Sequence, residues 1–266
     1  MKDALFDLSS KVAVVTGGHS WLGFDMASVL AEHGCSIIIA SRSLAKIKKA
    51  AEELRSKYSV DTHYITFDQT DSESCRKMAD EAYGWKGHID ILINNSGGGS
   101  GASEGDFLTR DPEDMANLIK TNLIGAMFCT QAIAKHMIKN NSGKIVNIGS
   151  IAGIVGRDRR MYRRNNKMEQ PIDYAASKAG VIGMTRDLAA YLAPYNIQVN
   201  TISPGGFDKG DLPEGFVNDY ADETMKGRMG IMGQDIKGAA LFLCSPASDY
   251  VSGHNLVVDG GFTVYK

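Results

Sequence analysis

Seven short apolar runs, separated by longer amphipathic stretches, restrict the folds open to this chain of 266 residues. Each run is apolar at nearly every position rather than at every second position, which indicates a strand that is covered on both faces. Strands of this kind belong to a parallel sheet that lies between two layers of helices. The predicted strands are residues 12–15, 37–39, 64–67, 91–93, 145–148, 197–202 and 256–258.

The stretches between the predicted strands carry helix signals. Asp111-Pro112 supplies an N-cap residue and a proline for the first turn, and the apolar pattern that begins at Met115 predicts a long helix towards Ile138. No repeat, low-complexity tract or linker interrupts the alternation of strands and helices. We therefore predict a single doubly wound α/β domain over residues 1–266, with helices on both faces of a seven-stranded parallel sheet.

The composition says more about the binding partners of the protein than about its fold. A net charge of -2 gives no electrostatic reason to bind nucleic acid or a membrane surface. No apolar run is long enough to span a membrane, and residues 1–7 lack the apolar stretch of a secretory signal. The cysteines have no metal-binding spacing, so we expect buried thiols in a reduced, cytoplasmic protein without a metal site. They are Cys35, Cys75, Cys129 and Cys244.

Tyr174 and Lys178 stand four positions apart at the start of a helical pattern, so their side chains share one helix face. A phenol has an ordinary pKa of ~10, and a nearby cation lowers that pKa because it favours the phenolate. Tyr174 is therefore a candidate general acid and base, with Lys178 adjusting its pKa. Judged by this spacing alone, the alternative is that the two residues form an ordinary pair on the protein surface. The small-residue helix face after Lys178 and the buried strand at 197–202 favour catalysis.

Residues 12–23 are predicted to form a strand, a glycine-rich turn and the start of a helix. In this arrangement, backbone amides and a helix N-terminus face a pyrophosphate. Gly17, Gly18 and Gly23 supply the glycines, and their position after the first strand strengthens a signal that is weak by itself. An ordinary strand-to-helix turn is the alternative.

Several further motifs follow this turn at suitable separations. The set comprises Thr16-Gly17 with Gly23, Asn94-Asn95-Ser96-Gly97, Asn122, Ser150, Tyr174 with Lys178, and Pro204-Gly205. Together these motifs resemble the short-chain dehydrogenase/reductase family, and the resemblance extends from Thr16 to Gly261. It implies a Rossmann-type domain, a nicotinamide cofactor, and hydride transfer between that cofactor and a carbonyl or alcohol.

The resemblance also implies a role for each catalytic residue. Ser150 positions the substrate oxygen, Tyr174 transfers its proton, and Lys178 holds the cofactor ribose while lowering the tyrosine pKa. Asn122 lies inside a long helix, where asparagine is an indifferent helix former, and it anchors a water that relays protons towards the lysine. Hydride moves directly between the substrate carbon and the nicotinamide, and no metal is needed.

Contacts to the cofactor follow from the same resemblance. Asp68 matches the position that holds the adenine, and Pro204-Gly205 matches the turn that contacts the nicotinamide. Trp21 is a departure, because the family pattern has glycine there; the indole either points away from the phosphates or partly caps them. The predicted cofactor-binding residues are Gly17, Ser20, Trp21, Leu22, Gly23, Ser41, Arg42, Asp68, Asn95, Ser96, Gly97, Tyr174, Lys178, Pro204 and Gly205.

The residues after the second strand favour NADP over NAD. An acidic residue there would bind the ribose 2′-hydroxyl, whereas a cation suits a 2′-phosphate. This chain has Ser41-Arg42 and no acid at that place. The alternative is that Arg42 is a solvated loop charge. His19 is a further candidate donor near the phosphate, although a lone histidine is more often structural.

Residues 157–170 form a basic insertion, because Ser150 and Tyr174 lie farther apart than the family usually places them. Tyr162 stands near the usual spacing, but Asn166 occupies the place where a lysine is needed, so Tyr174 remains the predicted phenol. A cationic loop beside Tyr174 predicts an anionic substrate; a solvated loop or a subunit contact is the alternative. The predicted substrate contacts are Arg159, Arg160, Arg163, Arg164 and Phe207.

Residues 207–228 follow the sixth predicted strand, and this position suits a lid over the substrate. Core packing is the alternative for the methionines Met225, Met229 and Met232 in and after this segment. The last strand and the tail resemble those of family members that form homotetramers, so we predict a homotetramer.

These patterns together predict an NAD(P)-dependent oxidoreductase that favours NADP. We expect it to interconvert a secondary alcohol and a ketone on a polyol, sugar or sugar acid. One alternative is a regulatory protein that binds the nicotinamide nucleotide without turnover, which Trp21 favours. Another is a Rossmann-type methyltransferase, which would leave Tyr174 and Lys178 unexplained.

Overall fold

Seven strands form one parallel sheet in the part of the chain, residues 4–98 and 105–265, that the computed structural model describes. The strands are β1 (Val12–Thr16), β2 (Ser36–Ser41), β3 (Thr62–Thr66), β4 (Ile91–Asn94), β5 (Gly143–Ile148), β6 (Ile197–Pro204), β7 (Phe207–Asp208), β8 (Gly230–Ile231) and β9 (Asn255–Val258). The order across the sheet is β3-β2-β1-β4-β5-β6-β9, while β7 and β8 pair separately. The order reverses between β1 and β4, and ligands bind at such a switch point.

Helices connect the strands and cover both faces of the sheet. They are α1 (Trp21–Glu32), α2 (Leu44–Tyr58), α3 (Ser72–Lys86), α4 (Pro112–Ile119), α5 (Gly125–Asn140), α6 (Arg160–Arg164), α7 (Ile172–Leu192), α8 (Glu214–Asp222) and α9 (Lys237–Cys244). The predicted long helix after Asp111 is present as α4 and α5, joined by a π-helical segment at Lys120–Ile124. The Asp111 side chain caps α4 by accepting the backbone N–H groups of Glu113 and Asp114.

Two apolar cores lie on opposite faces of the sheet. Along β1, Ala13 and Val15 face the core that includes α1, α2 and α9, whereas Val12 and Val14 face the core that includes α3, α5 and α7. All five residues of β1 are buried. This confirms the prediction from continuous apolarity, because a strand covered by helices on both sides has no solvent-facing positions. The seven-stranded, doubly wound sheet is therefore as predicted.

Residues 4–98 and 105–265 contain neither a helix that could span a membrane nor a cluster of metal-binding side chains. No helix among them is long and apolar enough to cross a membrane. They contain no group of three or more His, Cys, Asp or Glu side chains that could hold a metal ion. The four cysteines are buried and not joined by disulfides, as expected for small apolar side chains.

Candidate active site

A cavity of about 1010 Å³ opens at the carboxyl ends of the central strands. Every residue that we predicted to bind the cofactor lines this cavity, from Gly17 after β1 to Gly205 after β6. Ser150 and Phe207 line it as well, whereas Asn122 lies behind its wall. The fold thus brings together motifs that are far apart in the sequence, because parallel strands end at the same edge of the sheet.

The glycine turn between β1 and α1 is held tightly. Gly17 has a φ of +64°, a conformation that favours glycine. A Cβ atom at Gly18 would lie 2.8 Å from the Cδ1 of Ile39, and one at Gly23 would lie 2.5 Å from the Gly17 carbonyl oxygen. The Asn95 side chain donates hydrogen bonds to the carbonyls of Thr16 and Gly17, at 3.0 and 3.2 Å. This shaped cradle before a helix N-terminus fits a dinucleotide pyrophosphate.

Trp21 occupies the glycine position of the family pattern and adopts a left-handed conformation with φ of +52°. Its side chain lines the cavity and is half exposed, and the Lys209 ammonium lies 3.8 Å from the centroid of the indole ring. The contact joins the cofactor turn to the predicted lid segment through a cation–π interaction. The indole therefore borders the cavity, and whether it caps the phosphates of a bound cofactor stays a prediction.

We expect the Trp21→Phe variant to lose most of the tryptophan fluorescence quenching that NADPH binding causes, because Trp21 borders the cofactor cavity. The chain has two tryptophans, and Trp85 instead stacks on His63 at a ring distance of 5.5 Å. Trp85→Phe is therefore the matched control and should retain the quenching. Fluorescence titration of both variants measures this. Loss of quenching in Trp85→Phe alone would show that the indole of Trp21 points away from the cofactor.

Cationic side chains line the cavity beside the ends of β2 and β3. Arg42 and Lys46 border it, and the positive charge of Arg42 helps hydrogen bonds from Thr70 lower the pKa of Asp68. Burial and then the charge of Lys46 lower the pKa of His19. The buried Nδ1 atom of His19 has no hydrogen-bond partner among the described residues. This set of donors fits a phosphate. Sequence reasoning missed Lys46, although it lies in the first turn of α2, just after Arg42.

Tyr174, Lys178 and Ser150 meet on the opposite side of the cavity. Tyr174 lies in the first turn of α7, and the Lys178 Nζ lies 5.8 Å from the centre of its ring. Lys178 donates a 2.7 Å hydrogen bond to the carbonyl of Ile148 at the end of β5. The Ser150 hydroxyl accepts the Ala152 N–H at 3.1 Å and lies close enough to the phenol of Tyr174 to lower its pKa. The predicted helix face is confirmed.

The electrostatics of the phenol differ from the sequence-based expectation. Burial raises the pKa of Tyr174, while the hydroxyl of Ser150 and the positive charge of Arg157 lower that pKa by less. Burial also lowers the pKa of Lys178 to about 8. The predicted net lowering of the tyrosine pKa by Lys178 is therefore not found, because the lysine is itself buried and desolvated. The positive charge that lowers the pKa of Tyr174 comes from Arg157.

Asn122 is buried inside the π-helical segment between α4 and α5. Its side-chain amide donates to the carbonyl of Gly98 at 2.9 Å, and its carbonyl oxygen accepts the Gly98 N–H at 2.9 Å. The amide also reaches the hydroxyl of Ser177, at 3.4 Å. A π-helical turn often marks a functional site, and here it directs Asn122 at the backbone after β4. Its role in proton relay stays a prediction.

The structure does not bring four of the predicted substrate contacts to the cavity. Each of these arginines pairs with a nearby carboxylate instead, and none lines the cavity. The carboxylates neutralise the guanidinium groups and hold them in the insertion or against α8, which corrects the predicted role in binding substrate. The pairs are Arg159 and Arg163 with Glu169, at 2.6 and 2.7 Å, Arg160 with Asp158, at 2.8 Å, and Arg164 with Asp219, at 2.6 Å.

Two other cations of the insertion, Arg157 and Lys167, do line the cavity. Phe207 lines it as predicted, with Phe216 and Tyr220 of α8 beyond it, so the segment 207–228 contributes directly to the wall. Of the methionines in and after this segment, Met229 and Met232 border the cavity, whereas Met225 is exposed. Sequence reasoning assigned the charge of the insertion to the wrong arginines, because only the fold shows which of them meet acids.

Arg110 and Asp173 form a buried ion pair that supports Tyr174 from behind. The guanidinium donates to both carboxylate oxygens, at 3.2 and 2.9 Å, and the two side chains are 1% and 5% exposed. Asp173 directly precedes Tyr174 in the first turn of α7. No sequence motif indicated this pair, because the two residues lie on segments that meet only in the folded protein.

Comparison with known proteins agrees with this geometry. The family model described as short chain dehydrogenase matches residues 11–215. A 3-oxoacyl-(acyl-carrier-protein) reductase of Aquifex aeolicus is 34% identical over 258 residues, which cover 96% of this chain and 98% of that protein. A 5-keto-D-gluconate 5-reductase of Escherichia coli is 33% identical over 267 residues, which cover 98% of each chain.

A solved structure provides a third comparison. The gluconate 5-dehydrogenase of Burkholderia cenocepacia, determined in complex with NADP and tartrate, superimposes with a TM-score of 0.87 at 33% identity. The match covers 98% of each chain. The match therefore extends over nearly the whole length of both chains.

Proposed function

The chain belongs to the short-chain dehydrogenase family, and we propose that it is an NADP-dependent oxidoreductase that interconverts a secondary alcohol and a ketone. One observation carries this proposal. Ser150 and Tyr174 line one cavity, with Lys178 over the tyrosine ring, and the same cavity contains the glycine turn. A site for proton transfer and a site for a dinucleotide thus share one space.

The residues around the phenol would divide the chemistry between them. Nicotinamide, when bound, accepts or supplies the hydride. Ser150 holds the substrate oxygen by a hydrogen bond, so that Tyr174 donates its proton to that oxygen during reduction and takes it back during oxidation. Lys178 is fixed by the Ile148 carbonyl, and its remaining ammonium donors are available to the cofactor ribose. Asn122 holds the backbone of Gly98 at the edge of this space.

The preference for NADP is supported by the charge beside β2 and β3. Arg42 and Lys46 offer two cations, and the unpartnered Nδ1 of His19 offers a further polar contact. A 2′-phosphate would satisfy these groups, whereas a 2′-hydroxyl would leave the cations without a counter-charge. Ser41 and Ser43 line the same end of the cavity and add hydroxyl donors.

Turnover on a panel of ketones with NADPH and with NADH tests the proposal. We expect reduction with NADPH as the better cofactor, and we expect Arg42→Ala to lower that preference about 10- to 100-fold, because it removes charge-assisted hydrogen bonds. Lys48→Ala is the matched control, since Lys48 is exposed on α2 and does not line the cavity. An unchanged preference in Arg42→Ala would contradict the assignment of NADP binding to this cluster.

Polyols, sugars and sugar acids are the substrates that we propose to test first. Similarity to proteins named for gluconate supports a gluconate 5-dehydrogenase-like activity. The oxoacyl reductases among the relatives support reduction of a keto group in a different kind of molecule. We also propose, from composition and family resemblance, that the protein works in the cytoplasm as a homotetramer.

A regulatory protein that binds the nucleotide without turnover is the second candidate, and Trp21 favours it. The indole occupies a left-handed position of the cofactor turn and borders the cavity, where it would cap part of a bound nucleotide. Such a cap could slow exchange of the nucleotide. The same ketone panel separates the two functions, because the regulatory protein would bind NADPH and reduce none of the ketones.

A further inference from the structure

The wall of the cavity that faces Tyr174 from the insertion and α8 is apolar. Tyr162 packs edge-on against Phe216 with 5.0 Å between ring centres, and Tyr220 stacks on Phe262 at 4.8 Å. These rings and the methionines between them form one buried cluster. We call this surface the aromatic wall, and its members are Met161, Tyr162, Phe216, Tyr220, Met229 and Phe262.

The aromatic wall offers few hydrogen bonds to a substrate. Its two hydroxyls belong to tyrosines, and that of Tyr220 already accepts the backbone N–H of Gly206. A sugar acid carries a hydroxyl on most of its carbons, and each hydroxyl buried without a partner costs about 1–3 kcal/mol. A ring or alkyl chain would lose nothing on the same surface and would gain from contact with aromatic and thioether groups. The wall therefore selects against hydroxyl-rich molecules.

Two positive charges border this part of the cavity, and neither pairs with a carboxylate of residues 4–98 or 105–265. Arg157 donates to the side chain and the backbone carbonyl of Gln170 and to the carbonyl of Pro171, which are neutral acceptors. Lys167 lies over the ring of Phe216, 5.3 Å from its centroid. Within residues 4–98 and 105–265, neither side chain forms an ion pair.

Arg157 is held next to the start of α7, the helix that carries Tyr174. Its three neutral acceptors bind both terminal nitrogens of the guanidinium and fix the group in the cavity wall, just before the helix that carries Tyr174. A guanidinium has five N–H donors, so hydrogen bonds remain for a ligand. A carboxylate near the substrate carbonyl would supply a counter-charge to this partly buried guanidinium.

We propose, on the premise that the proposed oxidoreductase function holds, that the substrate is an oxo acid or hydroxy acid with an apolar body. Arg157 binds its carboxylate, Lys167 adds positive potential, and the aromatic wall contacts the body. The reacting carbonyl lies between these regions, against Ser150 and Tyr174. This assigns anion recognition to the two cations that line the cavity rather than to the four paired arginines, and it disfavours sugars and polyols.

Three probes with NADPH test the proposal: 2-oxo-4-phenylbutanoate, its neutral methyl ester, and 5-keto-D-gluconate. We expect kcat/KM for the aromatic acid to exceed that for the ester and that for the keto sugar acid by about tenfold or more. The aromatic acid alone can both form a charge-assisted pair with Arg157 and pack its ring on the aromatic wall. The Arg157→Gln variant should lose the preference for acid over ester, mainly through a higher KM for the acid. Arg157→Lys should keep part of it.

Arg163→Gln is the matched control, because Arg163 is exposed, pairs with Glu169 and does not line the cavity. It should keep the acid preference of the wild-type protein. An equal fall of kcat/KM for acid and ester in Arg157→Gln would indicate a structural role and overturn the proposal. Faster reduction of the ester or of 5-keto-D-gluconate by the wild-type protein would also overturn it while leaving the oxidoreductase function intact. Binding of NADPH with no reduction of any probe would count against both.

Discussion

Replacing Tyr174 with phenylalanine should lower kcat about 10²- to 10⁴-fold, because the variant loses the proton donor while keeping the ring. The affinity for NADPH should change little, since the variant loses one hydroxyl while the glycine turn and the cations beside β2 and β3 keep their places in the cavity. Phenylalanine has no hydroxyl for Ser150 to act on, so the variant lacks the proton donor beside Ser150. Steady-state reduction of a ketone, with NADPH affinity measured in parallel, provides the comparison.

Tyr162→Phe is the matched control for this experiment. Tyr162 is a second phenol in the same cavity wall, and it lies near the spacing from Ser150 that the family usually shows. It packs against Phe216 and has no lysine four residues later, so its hydroxyl should matter little to kcat. The assignment of Tyr174 would be wrong if Tyr162→Phe lost turnover and Tyr174→Phe kept it.

Replacing Asp173 with asparagine should lower the free energy of unfolding by about 3–5 kcal/mol, because it removes the charge of a buried carboxylate that accepts two hydrogen bonds from the guanidinium of Arg110. For a chain of this size, the corresponding fall in Tm is roughly 10 °C. Thermal unfolding at a fixed protein concentration measures the effect. The same pair supports the first turn of α7, so its loss should also weaken the positioning of Tyr174.

Asp158→Asn provides the control for the buried pair. Asp158 pairs with Arg160, whose side chain is 82% exposed, so water and salt screen this contact. The control should leave Tm nearly unchanged. A similarly small change of Tm in Asp173→Asn would mean that the buried Arg110–Asp173 pair does not stabilise the fold. That result would contradict its predicted role in supporting the first turn of α7.

The strands and the catalytic pair could be predicted because their signals are local. Continuous apolarity in 12–15 requires cover on both faces wherever the strand lies in the sheet. The spacing of Tyr174 and Lys178 fixes a shared helix face by geometry alone. The glycine turn likewise depends on residues that are adjacent in the chain. Each of these predictions needed only the conformation of one segment.

The charges of the insertion could not be assigned from the sequence, because their partners are chosen by the fold. Arg164 forms an ion pair with Asp219 of α8, and Arg110 forms one with Asp173, which lies 63 positions later in the sequence. Even within the insertion, Glu169 binds two arginines and leaves Arg157 to neutral acceptors. The pKa of Tyr174 shows the same limit, since burial outweighs the charges that the sequence makes visible.

The most direct test of the catalytic site is reduction of a panel of oxo acids, ketones and keto sugars by the wild-type protein and by Tyr174→Phe. NADPH affinity is measured for both proteins. We expect the wild-type protein to reduce at least one class with NADPH, and Tyr174→Phe to bind NADPH equally well while losing about 10²- to 10⁴-fold in kcat. Tight binding of NADPH by the wild-type protein with no turnover on the whole panel, or equal turnover by both proteins, would contradict catalysis at Tyr174.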